Sequence, residues 1–145
     1  MGIALMKDGF PIAVTGFSLR DSDTLFVNQF QQVAYDAYDR HGRMVGSRVD
    51  EAAKRLDWQE FFYGLLTDLA RESGYSKIVL QSGENNFWTE VPREIYEVEN
   101  GKTVPVPIDV PHLSQEIAHK IYDAFAVSHG FTREDDEGDW VKSVG

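Results

Sequence analysis

The chain has 145 residues, 42% of them hydrophobic, enough for one domain with a core. A formal net charge of −10 repels phosphates before contact, so no nucleic-acid partner is expected. The lack of cysteine excludes disulfides, thiolate metal sites and a cysteine nucleophile, and fits a cytoplasmic protein. No stretch approaches the roughly 18 consecutive apolar residues of a membrane span, and Lys7 and Asp8 break the short apolar run at the start, so neither a membrane segment nor a signal peptide is expected.

Two strand-forming runs, Ile3 to Lys7 and Phe10 to Arg20, flank Asp8-Gly9, a dipeptide that accepts the positive φ angles of a two-residue hairpin turn. Asp21-Ser22-Asp23 turns the chain again into Thr24 to Val33, where Leu25, Val27, Gln29 and Gln31 alternate with Phe26, Asn28, Phe30 and Gln32. Three sequential strands therefore open the domain as an antiparallel meander. Residues 34–56 hold no sustained period; Gly42 and Gly46 suggest loop, and a short helix over about 48–55, capped by Ser47, is expected to end it. Arg40, Arg43, Arg48, Lys54 and Arg55 make this the basic segment of an acidic chain.

The next helix is better marked. Asp57 stands three residues before Glu60, the spacing of a capping box. Trp58, Phe61, Phe62, Leu65, Leu66, Leu69 and Ala70 recur at three and four, giving one broad apolar face, and Gly74 supplies a left-handed stop. At this spacing the aromatic stripe reads as core and not as a ligand surface. Ile78-Val79-Leu80 is then a continuous apolar run, expected of a strand covered on both faces. A polar tip, Ser82 to Asn86, follows.

Asn100-Gly101 centres a further hairpin over about 93–109, which Pro105 and Pro107 should confine to an edge or a projection because proline donates nothing to a ladder. Leu113, Ile117, Ile121, Ala124 and Phe125 mark a second amphipathic helix ending near His129-Gly130, and "FTREDDEGDWVKSV" reads as a closing pair of strands. Glu134 to Asp139 lacks a calcium-loop pattern and reads as a solvated hairpin tip. His41, His112, His119 and His129 show no paired ligand spacing, so no metal is expected. With no repeat or linker, the expected organisation is one domain over 1–145. Its fold class is α/β (α+β): a mixed, mainly antiparallel central sheet with two main helices.

This order resembles the GNAT (N-acetyltransferase) superfamily of acyl-CoA-dependent enzymes. "MKDGFPIAVTGFSLRDSDTLFVNQFQQV" looks like the family's second to fourth strands, "LLTDLARESGYSKIVLQSGENN" like its central helix and fifth strand, and "IYDAFAVSHGF" like its last helix and the Gly-Phe after it. The resemblance implies an acyl-CoA N-acyltransferase-like fold, acetyl-CoA or another acyl-CoA as cofactor, and transfer of an acetyl group to a primary amine, small-molecule or peptide. Family members bind the pyrophosphate on a loop of Arg or Gln, two residues, Gly, one residue, then Gly or Ala, leading directly into the central helix. Arg43-Met44-Val45-Gly46-Ser47-Arg48 keeps the first half of that pattern and has Arg48 at its last position. About ten further residues separate it from Asp57. The family's tyrosine acid falls at Ala126 here, with Tyr122 one turn earlier, and the family's first strand and first two helices have no counterpart.

The resemblance implies Gly42, Arg43, Gly46, Ser47 and Arg48 as the phosphate cradle, against the plainer reading of a basic surface loop. It implies the backbone of Phe30 to Val33 as donor to the thioester oxygen, with Asn86 beside the pantetheine. Gln32 is the strongest single pointer to a site, because it falls on the face of Phe26 and Phe30, where a polar group wants a partner. Gln32, Val33 and Asn86 would then flank a slot where two neighbouring strands diverge. Glu84, Asn86, Tyr122 and His129 are the candidates for proton transfer, Glu84 and Tyr122 foremost, and Asn86 and Tyr122 also have plain readings as turn and core residues. The departures support a second reading, a non-catalytic module on this scaffold that acts through protein contacts, and a third is an unrelated α+β binding protein. In either case the inserted hairpin offers an edge for a homodimer or a protein partner.

Overall fold

A computed structural model describes residues 1–38, 44–49, 51–111, 113–133 and 138–145. They form two compact units, residues 1–80 with 141–145 and residues 81–140. The class is α+β, with a mostly antiparallel five-stranded sheet and two main helical segments.

The first unit contains β1 (Gly2–Lys7), β2 (Phe10–Arg20), β3 (Thr24–Gln32), β4 (Ala34–Tyr38), β5 (Met44–Val49), α1 (Glu51–Arg55), α2 (Trp58–Glu72) and β6 (Lys77–Leu80). With β9 (Trp140–Ser143) the main sheet runs β1-β2-β3-β6-β9. The expected meander is present: β1 and β2 join through Asp8-Gly9, both at positive φ, and β2 and β3 through residues 21–23. β6 then lies parallel to β3, so the sheet is mixed. Leu25, Phe26 and Val27 are buried in succession, which requires cover on both faces of β3.

Trp58, Phe62, Leu66 and Ala70 form the buried stripe of α2, and Trp58 and Phe62 set their rings 5.2 and 6.5 Å from that of Phe30. Phe62 is fully buried, a transfer worth roughly 1.5–3 kcal/mol relative to exposure. The stripe is narrower than the sequence suggests: Phe61 and Leu65 stand exposed beside it. The helix ends as expected, with Gly74 N–H on the Arg71 carbonyl and Tyr75 N–H on that of Ala70, a Schellman motif.

Three local expectations are corrected. Asp57 does precede α2, but at φ 45° it makes no side-chain cap, because a capping box needs an extended N-cap residue. Residues 44–49 form a strand where loop and helix start were expected, and α1 begins only at Glu51. β5 pairs with β4 from Ala34↔Val49 to Tyr38↔Met44. Tyr35, Tyr38, Val45 and Val49 favour strand, and the glycine and charges among them conceal the period.

The second unit contains a turn at 81–86, a 3₁₀ turn (Phe87–Thr89), β7 (Pro92–Glu99), β8 (Lys102–Pro111) and a helical run made of α3 (Gln115–Ala118), a π-helical turn (His119–Asp123) and α4 (Ala124–Ser128). β7 and β8 form their own two-stranded sheet around Asn100-Gly101, over nearly the expected span. The helical run buries Ala118, Tyr122, Phe125 and Ala126, one position later than the expected Ile117 and Ile121. Close approach explains the rotation: a Cβ on Gly83 would lie 2.8 Å from the Ala118 carbonyl carbon, so a glycine meets an alanine there and turns 118, 122 and 126 inward. Of the expected closing pair of strands, β9 is the one formed among the described residues; Thr132 makes an isolated bridge, and residues 134–137 lie outside the described ones.

Candidate functional site

The unusual feature of the first unit is where its central strand stops being paired. β3 and β6 pair from Thr24↔Lys77 to Val27↔Leu80, but β3 continues to Gln32. The ladder to β6 ends beside a bulge: Gly16 faces Gln29 and Phe17 faces Val27, so Asn28 has no opposite number on β2. Gly16 permits this, since a Cβ there would sit 3.0 Å from both Asn28 Oδ1 and Gln29 Cβ.

Antiparallel alternation sets which groups face the opened side. Val33 N–H donates to the Ile12 carbonyl at 3.1 Å, so Ile12 and Val33 are a hydrogen-bonded pair and the neighbouring pair, Ala13↔Gln32, is not. Gln32 therefore turns its backbone N–H away from β2. Its side-chain Nε2 is buried and has no hydrogen-bond partner among the described residues. Of the two strand-end residues expected to face a ligand, Val33 commits its amide to β2 and Gln32 does not.

The expected phosphate cradle looks different. Gly42 and Arg43 lie outside the described residues, and Gly46, Ser47 and Arg48 are ladder residues of β5, opposite Ala37, Asp36 and Tyr35. A ladder commits alternate amides to the neighbouring strand and cannot gather them around an anion as a glycine-rich loop does.

In the second unit, Asn86 is 1% exposed and caps the 3₁₀ turn, its Oδ1 accepting from Trp88 N–H at 3.1 Å. Its Nδ2 is buried with no hydrogen-bond partner among the described residues. Glu84 is exposed, whereas Tyr122 is fully buried in the helical run, so a solvent-borne substrate cannot reach its hydroxyl in this conformation. Gln32 and Asn86 belong to different units.

Sequence reasoning missed the carboxylates that hold the 82–85 turn. Asp139 Oδ1 accepts from Ser82 N–H at 2.9 Å and from Asn85 Nδ2 at 3.1 Å. Asp123 Oδ1 accepts from Gly83 N–H at 3.0 Å and Trp140 Nε1–H at 2.7 Å, and its Oδ2 pairs with His119 Nδ1 across the π-helical turn. Burial is the largest influence on Asp123 and pushes its carboxyl up, but the bonds from Gly83, Trp140 and His119 together hold it below the usual value. A carboxylate on Nδ1 orients the half-exposed imidazole and leaves Nε2 as the nitrogen available for proton transfer. The signal was in the sequence: His119 and Asp123 are four apart on a helix, a spacing that sets both side chains on one face. Among the described residues, no group of three metal-ligating side chains gathers, and no helix is long and apolar enough to cross a membrane.

Comparisons with protein-family models, with curated proteins and with solved structures give no match to this chain.

Proposed function

We propose that the chain is an acyl-CoA-dependent N-acyltransferase-like domain whose acyl donor lies along the opened half of β3. One observation carries this reading: the ladder to β6 stops at Val27↔Leu80 while β3 runs on to Gln32, which turns its amide N–H away from β2 and has a buried Nε2 with no hydrogen-bond partner among the described residues. A thioester carbonyl becomes negative when an amine attacks it, and a fixed backbone N–H in a dry site stabilises that charge without reorganising. The acceptor is a primary amine, whose charge suits a protein of net charge −10.

A second reading has its own support. Gly46, Ser47 and Arg48 sit in a ladder, Tyr122 is fully buried, and Asp57 sets a carboxylate at the start of α2 where a phosphate would want none. These favour a non-catalytic module that uses the scaffold for protein contacts.

Acetyl-CoA separates the two. On the first reading it raises the melting temperature, since a ligand at a hundred times its Kd stabilises by about 2.7 kcal/mol. Arg43→Ala with Arg48→Ala reduces the shift, and an amine panel yields acetylated product. Gln32→Pro removes the outward N–H without breaking the ladder to β2, so it abolishes transfer while acetyl-CoA still binds. No shift at millimolar acetyl-CoA leaves the module reading in place.

A further inference from the structure

The β7–β8 ribbon has two free edges that differ chemically. Pro105 cannot donate to Tyr96 across the ladder, so Tyr96↔Pro105 is a non-hydrogen-bonded pair. The two-residue turn gives the same phase independently: it is closed by the hydrogen-bonded pair Glu99↔Lys102, and alternation from there again makes Tyr96↔Pro105 non-bonded. Members of such pairs aim their main-chain groups outward. On β8 those residues are Thr103, Pro105 and Pro107, so the outer edge lacks two donors and is closed to a further strand. On β7 they are Glu94, Tyr96 and Val98, each with an N–H and a carbonyl facing outward, and among the described residues the sheet contains no third strand.

The side chains on that edge match its openness. Tyr96 is 69% exposed and Val98 77%, on one face with Glu94, while Glu97 and Glu99 stand exposed on the other. Alternation therefore offers apolar contact on one face of an added strand and negative charge on the other.

We propose that the free edge of β7 binds an extended, lysine- or arginine-bearing segment of another protein by β-strand addition, its apolar side chains beside Tyr96 and Val98 and its cations beside Glu97 and Glu99. A second copy of this chain fits less well, because it brings a further net charge of −10 to the contact. The proposal is independent of any acyl transfer.

The probe is a capped peptide of alternating Lys and Val, with an alternating Glu and Val peptide as its control, tested on the whole chain by fluorescence anisotropy and amide exchange. The Lys-Val peptide binds at least tenfold more tightly than the control and slows exchange at Glu94, Tyr96 and Val98, leaving the already paired Ile95 and Glu97 amides unchanged. Val98→Pro removes one outward N–H, alters no charge and spares the ladder to β8, so it weakens binding at least tenfold, whereas Val98→Ala weakens it less than threefold. Retained exchange protection at Ile95 and Glu97 in Val98→Pro shows that the ribbon remains folded; if that protection is lost, Tyr96→Pro, judged by the same protection, takes its place. Binding that survives the proline change within twofold overturns the proposal, since charge alone then holds the peptide. Self-association of the wild-type chain that Val98→Pro abolishes also overturns it, in favour of a second copy.

Discussion

The two halves of β3, Thr-Leu-Phe-Val and Asn-Gln-Phe-Gln-Gln, are built from different residues and held by different means. Thr24 to Val27 have β2 on one side and β6 on the other, and all four are buried. Asn28 to Gln32 have the β2 ladder on one side, and among these residues Phe30 alone is fully buried, with Trp58 and Phe62 packed around it. The first half is fixed by main-chain pairing on both sides, the second by pairing on one side and one aromatic anchor. That difference is what leaves backbone polar groups accessible on a central strand, where buried amides are ordinarily all committed.

Truncating the anchor tests this most severely. Phe30→Ala is expected to cost about 3–5 kcal/mol and Leu25→Ala about 2–5 kcal/mol, both measured by urea unfolding. The two differ in locality. In a native-state exchange experiment, Phe30→Ala speeds exchange at Gln29 and Gln31 well before global unfolding, whereas Leu25→Ala lowers protection across the whole sheet. Equal local effects would mean the second half is fastened by more than its ring.

Gly16→Val acts at the boundary between the halves. Its Cβ would press on Asn28 Oδ1 and Gln29 Cβ, both at 3.0 Å, so the bulge must shift or flatten. The expected cost is about 1–3 kcal/mol, typical of overpacking. If acetyl-CoA stabilises the wild type, this variant should lose that effect beyond what its lower stability explains.

The same contrast marks how much was readable from sequence. Turns with strict φ requirements, such as Asp8-Gly9 and Asn100-Gly101, and helix stops at Gly74 and Gly130, were legible because few residues satisfy them. The alternation in Thr24 to Gln32 gave the strand and singled out Gln32. It could not give the bulge at Asn28, which depends on Gly16 across the ladder, nor the end of pairing at Leu80. Strand β5 was hidden for the opposite reason, since its glycine and charges imitate a phosphate loop whose function they need not share. The His119–Asp123 pair was readable from its spacing of four, but the hold of Asp123 and Asp139 on the 82–85 turn was not, because those partners are backbone amides 40 and 57 residues away.

Gln32→Leu should change stability far less than either truncation. It removes a buried Nε2 that has no hydrogen-bond partner among the described residues and leaves an apolar side chain one atom shorter, so a change between about −1 and +1 kcal/mol is expected, with a gain the expected sign. A loss of more than 2 kcal/mol would show that the amide is engaged after all and would weaken the case for an open donor there.

The smallest effect belongs to the fastening at the start of the first half. Asp23 receives Ser76 Oγ–H at 2.8 Å and Thr24 Oγ1–H at 3.0 Å, and Lys77 Nζ lies at 3.6 Å. The hydrogen bond from Ser76, then that from Thr24, and then the charge of Lys77 hold the carboxyl below its ordinary value. A carboxyl whose folded value is the lower one stabilises the fold fully above its unfolded value of about 3.9 and loses that contribution as pH falls through the folded value. The stability difference between wild type and Asp23→Asn should thus be constant from pH 7 to 5 and shrink below about pH 4. It should stay small throughout because the carboxylate is solvated and its ion pair is screened. The main-chain bonds from Ser76 and Lys77 to the Asp23 carbonyl do not titrate, so β6 keeps its register on β3 even after the side chain is neutralised.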